Sequence, residues 1–249
     1  MLQFDQQGAK VAAHYNTTSS TLKPLQEKYP SQLILIQADV TSESAVANLF
    51  AQLTSKDFHI QVIVLNHGFW PTTDVPMADM ALAQWESTIA INLTSNFMLA
   101  RGYLQGLRKM SDSQKEFASI ISVGSTAGKV GEANHADYSS AKSGMMYGFT
   151  LSLKNEIVKI APRGRANCVA PGWVKTPMAE EALKDPAVVY RSIATTPVKK
   201  FALPEDVAHQ IVILASPVVS GHVSGEVIMV AGGMEGRLLN LPEDVELPP

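Results

Sequence analysis

Three short apolar runs separated by longer amphipathic stretches dominate the first quarter of the sequence. KVAAHY is followed by TSSTLKPLQEKY, QLILIQADV by SESAVANLFAQLTSKD, and IQVIVLN comes third. Apolar runs that do not alternate with polar residues suit strands buried on both faces, and the intervening stretches suit helices that cover them. Val46, Leu49, Phe50 and Leu53 fall at helical spacing in the second stretch. The pattern continues with a long helix over about 80–110, the strand EFASIISV and a helix from near Ala136 towards Ala161. RANCVAPG, a Pro-interrupted segment (176–200), the helix EDVAHQIVILAS and the strand GEVIMVAGG complete it. No repeat, low-complexity tract or linker interrupts the series, and 46% hydrophobic content over 249 residues supplies one sizeable core. The expected fold is a single α/β domain over 1–249, a doubly wound parallel sheet of the Rossmann type.

In open parallel sheets, ligands bind beyond the carboxyl ends of the strands. Four predicted strand ends carry small residues, amides or hydroxyls: ADV at Asp39, LNHG at Asn66 to Gly68, SVGSTAG, and APGWVKTP. After the third comes DYSSAK, in which Tyr138 and Lys142 stand four apart and share one helix face. A cation beside a phenol of pKa about 10 favours its ionised form and turns it into a usable acid or base. A solvated helix face gives the same spacing. Ser125 can equally cap a bend, and Asn92 can bond its own helix backbone.

The formal charge of -3 and the lack of any Lys/Arg run exclude nucleic acid and anionic membrane surfaces as expected partners, leaving a small soluble substrate. One cysteine, Cys168, no signal-peptide pattern and no apolar run near ~18 residues predict a cytoplasmic protein that does not span a membrane. His14, His59, His135, His209 and His222 show no metal-ligand spacing, so no metal is expected. GSTAGK resembles a P-loop, but its glycines are one residue too close and no Ser or Thr follows Lys129.

Together ADV (38–40), LNHG (65–68), INLTS (91–95), SVGSTAG (122–128), YSSAK (138–142) and PGWVKT (171–176) resemble the short-chain dehydrogenases/reductases, in their 3-oxoacyl-carrier-protein-reductase-like branch. Order and spacing agree, with Ser125 standing 13 positions before Tyr138, and the resemblance runs from about residue 8 to 234. It implies that Tyr138 gives a proton to a substrate carbonyl and takes it back in reverse. Lys142 would lower the Tyr138 pKa and hold the nicotinamide ribose. Ser125 would orient the reacting oxygen, and Asn92 would hold a water leading to Lys142. Asp39 and Val40 would border adenine, Asn66 and Gly68 the adenosine ribose, and Pro171, Gly172, Val174 and Thr176 the nicotinamide and pyrophosphate. Leu65 and His67 depart from the family's Asn-Asn-Ala-Gly.

The family's first strand and its Thr-Gly-x-x-x-Gly-x-Gly loop do not occur ahead of KVAAHY, where MLQFDQQGAK matches only the tail of the following helix. That strand would lie between KVAAHY and IQVIVLN, so its loss either leaves their edges unpaired or lets them close up. His14, Tyr15 and Asn16 stand where an acidic residue would select NAD, so NADP(H) is the expected cofactor, with NAD possible. Phe69, Trp70, Trp173 and Met178 are expected at the pocket for a carbonyl or alcohol substrate. Met145, Met146, Phe149 and Leu153 are expected to help pair long helices in a homodimer or homotetramer. The alternative is an inactive binding or assembly subunit without tight dinucleotide binding.

Overall fold

Parallel strands alternate with helices along the whole described chain. The computed structural model describes residue 4, residues 7–177 and residues 179–236. β1 (Val11–Tyr15), α1 (Lys23–Lys28), β2 (Leu33–Gln37), α2 (Glu43–Ser55) and β3 (Val62–Leu65) come first. A 3-10 turn at Met77–Asp79 leads to α3 (Leu82–Ile89), which passes through a π-helical segment, Ala90–Thr94, into α4 (Ser95–Leu107). α5 (Asp112–Lys115), β4 (Ser119–Val123) and α6 (Thr126–Val130) follow. The second long helix is α7 (Ala136–Ser143), a π-helical segment Gly144–Phe149, and α8 (Thr150–Ile157). Then come β5 (Arg165–Pro171), a 3-10 turn at Ala182–Lys184, α9 (Pro186–Ala194), α10 (Pro204–Ala215), α11 (Pro217–Ser220) and β6 (Val227–Val230). No helix among the described residues is long and apolar enough to cross a membrane.

Central β4 shows why these residues form these elements. Its neighbouring isoleucines face opposite sides of the sheet, as strand geometry requires. Ile120 packs with Tyr103, Leu107 and Ile157, and Ile121 with Val207, Ile211 and Leu214. Each is essentially unexposed, and burying such a side chain stabilises the fold by about 1.5–3 kcal/mol. On α2 the expected stripe holds: Val46, Leu49 and Leu53 are buried, and the Ser42 side chain caps the helix by accepting from the Ala45 N–H.

The strands form two parallel sheets, β1–β2 and β3–β4–β5–β6. Val11 N–H donates to Gln32 and Ala38 N–H donates to Tyr15, so strand alternation turns the N–H and C=O groups of Ala12 and His14 away from β2. Ser119 N–H donates to Gln61, so on β3 it is Val62 and Val64 that turn away from β4. Among the described residues, neither outward row pairs with another strand. Of the two outcomes open to these strands, the edges stay apart. What joins the sheets is side-chain packing through α2: Leu49 and Leu53 pack on Ile36 and Ala38 of the first sheet's layer, while Val46 packs with Leu99 and Tyr103 of α4. Where α2 meets α4, Gly102 lies against the Phe50 ring, which would have to shift to admit a Cβ.

A correction concerns the apolar face of the second long helix. Met145, Met146 and Leu153 are buried within the chain's own core, and Phe149 packs partly buried against it. The large apolar side chains this helix exposes are Tyr147, Leu151 and Val158, with Phe97 exposed on α4.

Amide exchange tests the division of the sheet. The amides of Ala12, His14, Val62 and Val64 should exchange about a hundredfold or more faster than those of Ile63 and Ile121. Equal protection would show that the two sheets close into one.

Candidate active site

The π-helical segment Ala90–Thr94 holds Asn92, which is fully buried. Such segments widen a helix by one residue and recur at functional sites. Here Asn92 Nδ2 donates to the Phe69 carbonyl (2.9 Å) and the Thr88 carbonyl (3.1 Å), and Oδ1 accepts from Phe69 N–H (3.0 Å). The side chain thus clamps the backbone just after β3. Its own carbonyl accepts from Asn96 Nδ2 at 2.8 Å.

That clamp brings Gly68 against Lys142. A Cβ on Gly68 would lie 3.2 Å from Asn92 Oδ1 and 3.4 Å from Lys142 Nζ. Lys142 is buried and donates to the Val123 carbonyl at the end of β4, at 2.9 Å. Burial disfavours its charged form and pulls its pKa down to about 8, the nearby Cys168 thiol acting the other way. Its amine stands 5.6 Å from the centroid of the half-buried Tyr138 ring, so the i, i+4 spacing does place cation and phenol together.

Ser125 caps α6, its Oγ accepting from Ala127 N–H at 3.2 Å. The capping role weighed for this residue is therefore present, and its hydroxyl proton remains a donor. α6 packs on α7 through Gly128, where a Cβ would stand 2.8 Å from Lys142 C and Ser143 N. His67 is held by Ser95: the Ser95 hydroxyl donates to the Ile91 carbonyl, so the imidazole N–H donates to Ser95 Oγ. Burial first, then the charges of Lys142 and His14, push the His67 pKa down to about 4, which keeps the ring neutral.

The residues expected along a dinucleotide gather at strand ends but differ in what they offer. Asp39 is exposed, and the Thr41 hydroxyl (2.6 Å) and N–H (2.9 Å) bind its Oδ1 and hold its carboxyl below the usual value. Val40 is buried with Val46 and Leu65, so its side chain belongs to the core and only its backbone can border a ligand. Asn66 is exposed. Pro171 ends β5, and Gly172 N–H is spent on the Val230 carbonyl at 3.0 Å. Val174 packs into the Ile121 cluster and bridges to Ala202, and Thr176 is partly buried beyond it. Met178 lies outside the described residues. A cavity of about 750 Å³ beneath α9, lined by Leu183, Val189, Tyr190 and Ile193 among others, includes none of the predicted catalytic set.

Two features escaped the sequence reading. Asp137, fully buried, accepts from Thr88 Oγ1 (2.8 Å), Gln84 Nε2 (3.2 Å) and Tyr138 N–H (2.8 Å), tying α3 to α7 beside the phenol. The signal was available: Gln84, Thr88 and Asn92 form a polar i, i+4 stripe on one helix face. His135, expected at the surface or in a structural role, is buried, stacked on Trp70 and bonded to Asp74.

A parallel α/β sheet with a tyrosine and a buried lysine one helical turn apart at its carboxyl edge defines a class of oxidoreductases. The chain belongs to the short-chain dehydrogenase/reductase family: a family model described as enoyl-(acyl carrier protein) reductase matches residues 2–235. A 3-oxoacyl-[acyl-carrier-protein] reductase from Synechocystis sp. is 30% identical over 231 residues, 91% of this chain and 87% of that protein. An acetoacetyl-CoA reductase from Cupriavidus necator is 31% identical, covering 85% of this chain and 83% of the relative. The crystal structure of a short-chain dehydrogenase/reductase (glucose/ribitol dehydrogenase) from Brucella melitensis superposes with a TM-score of 0.76 at 27% identity, over 93% of this chain and 88% of that one.

Two outcomes are expected from this geometry. Gly128→Ala should cost about 1–3 kcal/mol, since besides the Met146 sulfur the methyl meets backbone atoms of α7, which cannot yield as a side chain can; urea denaturation measures it. Lys142 titrates near 8 in the fold against an ordinary value of 10.5, so between those values the unfolded chain holds more protons. Its penalty is full below about pH 8 and lifts as pH rises to 10.5. Denaturation at pH 7, 9 and 10.5 should show Lys142→Met losing that rise.

Proposed function

We propose that the chain is an NADP(H)-dependent oxidoreductase that interconverts a carbonyl compound and its secondary alcohol by hydride transfer, with Tyr138 as the acid in reduction and the base in oxidation. The observation that carries this reading is the convergence of Gly68, Asn92 and the Lys142 amine behind the Tyr138 ring. Hydride arriving at carbon moves charge onto the carbonyl oxygen, where a fixed phenol and hydroxyl stabilise it most in the transition state. Tyr138 delivers the proton and Ser125 Oγ–H orients the oxygen. Lys142 favours the tyrosinate that remains. Asn92 acts on position through its hold on Phe69. A water leading to Lys142 would bind at the Asn92 carbonyl, which also accepts from Asn96 Nδ2.

The site fits a nicotinamide cofactor at its reactive end. Lys142 spends one of its three donors on Val123, and the bare Gly68 backbone leaves beside it the space a Cβ would fill. The bound cofactor supplies the hydride. NADP(H) is preferred over NAD because His14, whose Nε2–H donates to the Ala38 carbonyl at 2.7 Å, stands with Tyr15 and Asn16 where no carboxylate repels a 2'-phosphate. The names of the two curated relatives make 3-oxoacyl thioesters the first substrates to try. Exposed Phe97, Tyr147, Leu151 and Val158 suit pairing of the long helices in a homodimer or homotetramer. The buried, unpaired Cys168 accords with a cytoplasmic setting. The divided sheet favours a second reading, an SDR-derived binding or assembly subunit that does not hold a dinucleotide tightly.

NADPH titration separates the two. Backbone donors at a glycine turn contribute about a kcal/mol or more each. The 249-residue chain should therefore bind about a hundredfold or more weaker than the same chain carrying, ahead of β1, a grafted strand and a loop of the Thr-Gly-x-x-x-Gly-x-Gly pattern, about 3 kcal/mol. Micromolar binding without the graft would show that the turns at Asn66 to Gly68 and Pro171 to Thr176 suffice. In the grafted chain, Tyr138→Phe should lower reduction by orders of magnitude with cofactor affinity little changed, and Lys142→Met should impair both. Near-native turnover in Tyr138→Phe would remove Tyr138 as the acid.

A further inference from the structure

We propose that Asp74 and His135 are positioning residues that act on Tyr138 through Trp70, an inference resting on the reading of Tyr138 as proton donor. After β3 the chain folds back over the start of α7 and is fixed at two points by its backbone. Asn92 holds it at Phe69, and Val75 N–H donates to the Asn134 carbonyl at 3.2 Å. Asn134 takes a φ of 66°, a left-handed conformation that asparagine tolerates better than most residues. Between those points lies a chain of side chains: Asp74 Oδ1 stands 3.0 Å from His135 Nε2, and the His135 ring stacks on Trp70 with centroids 3.9 Å apart at 37°. Trp70 also meets Tyr138, with centroids 4.7 Å apart at 78°.

The direction of control follows from burial. His135 is 3% exposed, whereas Asp74 is largely in solvent. With Nε2–H donating to Asp74, Nδ1 keeps a bare lone pair, and that atom is buried without a hydrogen-bond partner. An unpaired buried acceptor is unfavourable. The ring therefore keeps its pose through the Asp74 bond and the indole stack, in spite of Nδ1. Held in this way, the indole stands across the Tyr138 ring while the Lys142 amine stands 5.6 Å from the same ring's centroid. Rotation of the phenol, and with it the direction of its hydroxyl, is limited by Trp70. Aspartate is not needed as a charge here. An amide oxygen at position 74 would still accept from Nε2–H, in a weaker bond of the same geometry.

The test uses the 249-residue chain, with tyrosine ring signals observed by NMR after 13C-tyrosine labelling and the Tyr138 signals assigned by their loss in Tyr138→Phe. In Asp74→Ala these signals should move to where Trp70→Leu puts them, and in Asp74→Asn they should stay near the parent positions. In the chain carrying the grafted loop, turnover of acetoacetyl-CoA with NADPH should show kcat about tenfold or more lower in Asp74→Ala with KM for NADPH unchanged, and recovery in Asp74→Asn. Unmoved Tyr138 signals in Asp74→Ala overturn the proposal whether or not the parent turns over. Moved signals with an undiminished kcat overturn it too. Retained turnover in Tyr138→Phe instead defeats the proton-donor reading, an outcome that the NMR result does not affect.

Discussion

Covering the central strands on both faces is the requirement from which the rest of this structure follows. β4 and β5 have almost no exposed side chain, and parallel strands of this kind cannot leave either face in water. The long helices α3–α4 and α7–α8 seal one face around Ile120, and α10 seals the other around Ile121. With both faces closed, polar side chains from the strands' neighbourhood can meet solvent only past the strand ends. The site lies there because the core leaves it no other place.

The same burial sets the chemistry. Lys142 is drawn far enough inside that its charge is disfavoured, yet it keeps a backbone carbonyl and a neighbouring π-face. Around it, small residues do the admitting. Gly68 lets the amine approach β3, and Gly128 lets α6 approach α7. Asp137 then ties the helix that carries the tyrosine to the helix that carries Asn92. The two long helices are therefore linked by polar contacts at the site and by apolar packing away from it.

How much of this was readable in advance depended on the range of the interaction. The strand run SIISV, the stripe Val46, Leu49 and Leu53, and the Tyr138–Lys142 pair are local, and their periodicity declares them. Asp74 and His135 are 61 positions apart and Gln84 and Asp137 are 53 apart. Nothing in either partner's immediate neighbours announces the other. The π-helical segments were equally hidden, because one extra residue per turn leaves the apolar spacing of a long helix almost unchanged. Met145, Met146 and Leu153 misled for a related reason: apolar side chains on a helix look the same whether a neighbouring chain or the chain's own sheet covers them.

The seam between β1 and β3 bears on mechanics as well as pairing. A ladder of hydrogen bonds fixes two strands in register, whereas packed side chains allow small shear displacements. Across this seam the contacts run through Phe50, Val46 and Leu53 of α2, so a shear of the β1–β2 layer against β3–β6 would break no strand-to-strand hydrogen bond among the described residues. The end of β2, with Asp39, belongs to one layer, and Gly68, Ser125 and Gly172 belong to the other. A molecule long enough to touch both would act as a crosstie, setting an alignment that the backbone itself leaves free.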